Sequence, residues 1–227
     1  MADGAPVMTP EEVEGYFTRD DGSYAFARWG RPIVPIVFGV NDATLEVVKG
    51  AVEAVVTLAG HKMAETDPEL GANLMFFFFR AWDELLDVPK LGEMIPDLEP
   101  LVGRLKAADA SQYRAFRFDE AGGIQACFSF ICMTDEMCAL PADTLALTQA
   151  VQAVLLWGQG AFSDKSPLAV MPSDEGEGTV ILRPDVAGLI AAAYDPVLPV
   201  NAKDASHALR VFARMQVTPA PNADGAQ

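Results

Sequence analysis

The sequence predicts one α/β (α+β) domain in which helices pack on a small mixed β-sheet. Three observations carry that reading. Apolar runs of strand length alternate with stretches of helical period. The run 73–79, with four consecutive phenylalanines, has the length and aromatic content of a strand buried on both faces. Two apolar strands flank the turn signal Asp119-Glu120-Ala121-Gly122-Gly123, the clearest hairpin in the chain.

The elements follow in order. Thr9-Pro10-Glu11-Glu12 reads as a helix start, with Thr at the N-cap, Pro at the first position and Glu at the third. Asp20 to Ser23 is a turn. The apolar run 33–39 is a strand, and Pro35 puts it at an edge or near its own start. Asp42 can cap a helix over 44–60, where Leu45, Val48, Val52 and Val55 share a face. After the 73–79 strand, Pro89, Pro96 and Pro100 break 81–108 into short helical pieces, a lid or an excursion at the sheet edge.

The hairpin strands are 113–118 and 123–133. Ile124, Ala126, Phe128 and Phe130 share one face; Gln125, Cys127, Ser129 and Ile131 share the other. Asp143 can cap a helix over 144–157, apolar on much of its circumference and so expected under the sheet. Arg183-Pro184-Asp185 opens a helix that Pro196 stops, and a last helix runs over 202–215 with Ala205, Leu209 and Phe212 on one face. The chain divides into an N-terminal segment, 1–23, the main domain, 24–218, and a loose Pro- and Ala-rich tail, 219–227.

Of the 227 residues, 51% are hydrophobic, enough for a sizeable core. Sixteen Lys and Arg oppose thirty-two Asp and Glu, a net charge of −16 with no basic cluster. That field repels nucleic acid and anionic membrane surfaces. No apolar run approaches the roughly 18 residues of a spanning helix. The start, Met1-Ala2-Asp3-Gly4, has neither the basic nor the apolar region of a signal peptide. The expected location is periplasmic or secreted if a leader was removed, and otherwise cytoplasmic.

Candidate chemistry is sparse. P-loop, dinucleotide and nucleophile-elbow motifs are absent; Gly176-Glu177-Gly178-Thr179 is acidic where a phosphate cradle is neutral or basic. The acidic run 173–178 lacks the ligand order of a calcium loop and reads as solvated. The two histidines, His61 and His207, exclude any three-His zinc site; His61 suits a helix C-terminus and His207 a surface. Cys127, Cys132 and Cys138 lack zinc-pair spacing and read first as small buried hydrophobes. Asp119, Glu120, Asp135 and Glu136 are the carboxylates a hydrolytic site could use, although turns and loops explain them as well.

One resemblance spans roughly residues 25–216. Arg28-Trp29 with Pro32-Ile33, Asn73 before an apolar strand, Gly123-Ile124, Leu147-Thr148-Gln149, and Tyr194-Asp195-Pro196 stand in an order that resembles a proteobacterial domain family of unknown function with a zincin-like, metzincin-type fold. Members often carry E-E-L-T-Q and then L-G-L-x-N-D on the helix after the hairpin. Anchored on Thr148-Gln149, the acidic pair falls on Leu145 and Ala146, the glycine on Gln152 and the last acidic residue on Leu156.

The resemblance therefore implies a degenerate member. Leu145, Ala146 and Gln149 mark the site positions, with no metal, no cofactor and no catalytic residue. It implies a binding or structural protein with a protein partner, of the bacterial cell envelope. A small-molecule or peptide carrier and a hydrolase with a non-zinc site are the alternatives. Because the family is often exported, it also implies a Cys132–Cys138 disulfide across a five-residue loop.

Overall fold

The computed structural model describes residues 8–173 and 176–217. The chain runs through α1 (Pro10–Gly15), β1 (Phe26–Ala27), β2 (Pro35–Phe38), α2 (Asp42–Leu58) and β3 (Leu74–Phe79). A 3-10 turn (Trp82–Asp87), α3 (Leu91–Met94) and α4 (Leu98–Ala107) lead to β4 (Gln112–Phe118) and β5 (Ile124–Cys132). Then come α5 (Asp135–Cys138), α6 (Ala142–Val154), β6 (Leu168–Ser173), β7 (Gly176–Leu182), α7 (Pro184–Ala193), β8 (Asn201–Ala202) and α8 (Ser206–Val217).

The fold is mixed α+β. Its central sheet has the order β2-β3-β5-β4, with β2, β3 and β5 parallel and β4 antiparallel at the edge. Pro35 lies on the other edge strand, where a missing N–H costs no ladder bond. The phenylalanine run alternates as a pleat requires: Phe76 and Phe78 join one apolar cluster, Phe77 and Phe79 another.

The first cluster lies under α2, α6, α7 and α8. The second lies under 81–108, whose Trp82, Leu85, Leu91, Leu98, Leu101 and Val102 cover Phe77, Phe128 and Phe130. This segment is thus neither a lid nor an edge excursion. A sheet apolar on both faces needs a layer on each. Its prolines punctuate helix starts; Pro100 sits in the first turn of α4, where the missing N–H is harmless.

Several boundaries differ from the sequence reading, each for a local reason. Asn41, not Asp42, caps α2, its Oδ1 accepting from Thr44 N at 2.9 Å. Pro141 precedes α6, and Asp143 lies inside the first turn. That helix stops at Val154 because Leu155 turns extended and bridges to Arg28, while Leu156 N donates to Ala27 O at 2.9 Å. Residues 201–202 pair with β1, so the last helix begins only at Ser206. Its buried face is His207, Ala208 and Val211, and Leu209 is 58% exposed.

A bulge sets Arg117 opposite Ala126 and Phe118 opposite Ile124. The extra residue turns Ile124 into the first cluster, away from Ala126, Phe128 and Phe130. The antiparallel pair β6-β7 was not expected; the acidic run read as a loop forms part of it, with 174–175 outside the described residues.

The N-terminal segment shares the main core. Phe17 is fully buried, stacked on Trp157 at 5.5 Å and edge-on to Phe26 at 5.1 Å. The tail 219–227 lies outside the described residues. Among those described, no helix is long and apolar enough to cross a membrane.

Candidate functional site

The antiparallel edge strand β4 and the helix α6 bound a cleft of ≈520 Å³. The pleat places Gln112, Arg114 and Phe116 on one face of β4, opposite Ile131, Ser129 and Cys127 of β5. Helix α6 lines the cleft with Gln152, and Gln149, one turn earlier, is buried and bonded to Arg114. The segment after the helix closes the far side with Leu156, Trp157 and Phe162, and Arg19 stands at the rim. Trp157 and Phe162 meet edge to face at 5.0 Å, and Tyr16 supports both.

A polar network makes the floor. Arg114 Nη1 donates to Gln149 Oε1 at 3.1 Å and to Gln112 Oε1 at 3.2 Å. Gln149 Nε2 donates to Gln112 Oε1 at 2.9 Å, and Ser129 Oγ donates to Gln149 Oε1 at 3.2 Å. Gln149 is thus engaged through both its oxygen and its nitrogen and is 1% exposed. No carboxylate stands within ion-pair distance of Arg114 among the described residues. Burial pulls its pKa down to about 10, so the guanidinium stays charged at neutral pH. Burial also pushes the neighbouring Cys127 thiol up to about 12, which keeps it protonated and unreactive. Gln152 Oε1 is buried in the cleft wall with no hydrogen-bond partner.

The positions to which the resemblance assigned the site divide between two places. Gln149 supports this floor through its bonds to Arg114 and Gln112 without lining the cleft itself. Leu145 and Ala146, a turn earlier, face the main core and line a second cavity of ≈350 Å³ with Met133 and Met137. Neither histidine approaches α6's polar face. His61 Nε2 donates to Arg31 O at 2.8 Å, and burial lowers its pKa, so it is a neutral group rather than a helix-end cation. His207, expected at the surface, is 3% exposed, with Nδ1 2.9 Å from Tyr24 Oη and its ring 4.3 Å from Phe26. Among the described residues, no three His, Cys, Asp or Glu side chains converge as a metal site.

The candidate carboxylates are also dispersed. Asp119 accepts from Gly123 N at 2.9 Å and serves the hairpin turn. Asp135 and Glu136 open α5 at the opposite end of the nine-residue β5, roughly 25–30 Å away. The expected Cys132–Cys138 bridge is not formed, and all three cysteines are free thiols. Residues 135–138 coil into α5 and leave Cys138 exposed, while Cys132 Sγ donates to Arg80 O at 3.4 Å.

Arg114 is the candidate site residue that sequence reasoning missed. Its signal was a charged residue in the strand 112–118, matched by two amides one turn apart on a largely apolar helix. No family model matches the chain, and no curated protein or solved structure is significantly similar to it.

Proposed function

We propose that the protein is a non-catalytic binding protein on a zincin-like scaffold of the bacterial cell envelope, and that the cleft between β4 and α6 holds a small ligand. The observation that carries this reading is Arg114. A fixed cation stands on the cleft floor, bonded to Gln149, one of the positions to which the family resemblance assigns the metal site. A guanidinium there opposes a divalent cation and favours a ligand of its own.

The lining supports binding over turnover. No carboxylate, histidine or cysteine lines the cleft among the described residues, so proton transfer at neutral pH has no donor or acceptor of suitable pKa. The volume falls within the range of small-molecule sites, and the aromatic wall supplies contact area. The envelope location rests on the resemblance, whose members are often exported.

The test is a fragment screen by NMR on ¹⁵N-labelled protein, reading the indole N–H of Trp157. Binders should move that resonance while those of Trp29 and Trp82 stay in place. A screen whose binders all map elsewhere would refute the assignment of this cleft.

A further inference from the structure

We propose that the ligand of this cleft is an organic carboxylate with a flat apolar body. The proposal rests on the binding reading above and names its ligand class.

The first argument is charge. The chain has twice as many acidic as basic residues, thirty-two against sixteen. Yet the cleft is lined by two arginines, Arg19 and Arg114, and by no acid among the described residues. A cation held at the floor of a partly desolvated cavity without a counter-ion attracts an anion.

The second argument is donor geometry. Arg114 Nη1 is held by the two amide oxygens of Gln112 and Gln149. Nε and Nη2 make no hydrogen bond to the described protein. These two form one side of the guanidinium fork and match the two oxygens of a carboxylate. A phosphate dianion would call for further donors, above all backbone amides. Three amides of the neighbouring loop are already engaged: Gly158 N donates to Tyr16 O at 2.8 Å, Ala161 N to Gly158 O at 3.1 Å and Ser163 N to Gly160 O at 3.2 Å.

The cleft wall is aromatic. Trp157 Nε1 already donates to Val151 O at 2.8 Å, so Trp157 and Phe162 offer the ligand apolar surface. Aromatic acids combine both features.

The experiment pairs each acid with its primary amide. N-acetylphenylalanine, phenyllactate and indole-lactate, and the three amides, are titrated into the full chain by NMR and calorimetry. The acids should move the Trp157 indole resonance, and each amide should bind at least about tenfold more weakly. Arg114→Gln should weaken the acids by at least about tenfold. The acid–amide comparison needs no mutation, so it stands even if that variant is unstable. Acids and amides that bind alike at Trp157 would overturn the carboxylate proposal and leave the binding cleft intact. Silence from all six would overturn both readings for this cleft. Inorganic phosphate that displaces the acids at lower concentration would assign the site to phosphate and overturn the proposal.

Discussion

Arg114 and Gln149 meet across 3.1 Å and join the antiparallel edge of the sheet to the helix behind it. The bond does structural work as well as shaping the cleft. Gln149 also accepts from Ser129 and donates to Gln112, so one amide satisfies three elements of a buried polar network.

Gln149→Leu should therefore be destabilising. It leaves Ser129 Oγ buried without its acceptor and removes one acceptor from Arg114. The expected loss is about 2–4 kcal/mol, read from urea unfolding. A variant as stable as the parent would show that the network contributes nothing net.

Val151→Asp probes the packing of α6. Val151 is fully buried in the main cluster, and an aspartate there would be an unpaired charge. A loss of about 3–5 kcal/mol is expected. An unfolding midpoint equal to that of the parent would place this face of α6 in solvent.

His207 makes stability depend on pH. Burial first, then the charges of Arg210 and Arg28, hold its pKa at about 4, below the ordinary imidazole value of 6.5. Between those values the unfolded chain binds a proton that the folded chain does not. Its contribution is complete above the unfolded value and is lost as pH falls toward 4. The change is on the order of 2–3 kcal/mol. Unfolding should show a smaller loss between about pH 7.5 and pH 5 in His207→Gln than in the parent. Equal losses would exclude His207 as the source.

The thiols should react in a fixed order. Cys138 is exposed and labels first with a disulfide reagent in native protein. Cys132 is buried, and burial, followed by the charge of Glu84, raises its pKa, so it follows slowly. Cys127 reacts only after unfolding. Mass-mapped labelling that finds Cys132 and Cys138 joined in native protein would contradict the free-thiol arrangement.

The fold class was legible because strand alternation and helix period are local signals. The phenylalanine run, the hairpin and α7 all stand where the pattern put them. Tertiary pairing overrode the local signal elsewhere. Leu155 and Ala202 both fall inside stretches of helical pattern, yet both pair with the 26–28 segment. The Arg114 cleft was harder to read for the same reason. Its parts come from residues 19, 112–116, 149–152 and 156–163, which no sequence spacing links. His207 was misplaced because its helix starts four residues later than expected, which turns the histidine inward against Phe26.

Gln149→Glu tests the central claim, that an unpaired Arg114 is what the cleft presents to its ligand. The substitution changes few atoms and sets a carboxylate where Gln149 Oε1 already meets the guanidinium. Calorimetric titration of the tightest-binding aromatic acid into parent and variant gives the answer. The affinity should be at least about tenfold weaker in a variant that keeps its native spectrum, because the counter-charge is already supplied. An unchanged affinity would contradict the claim.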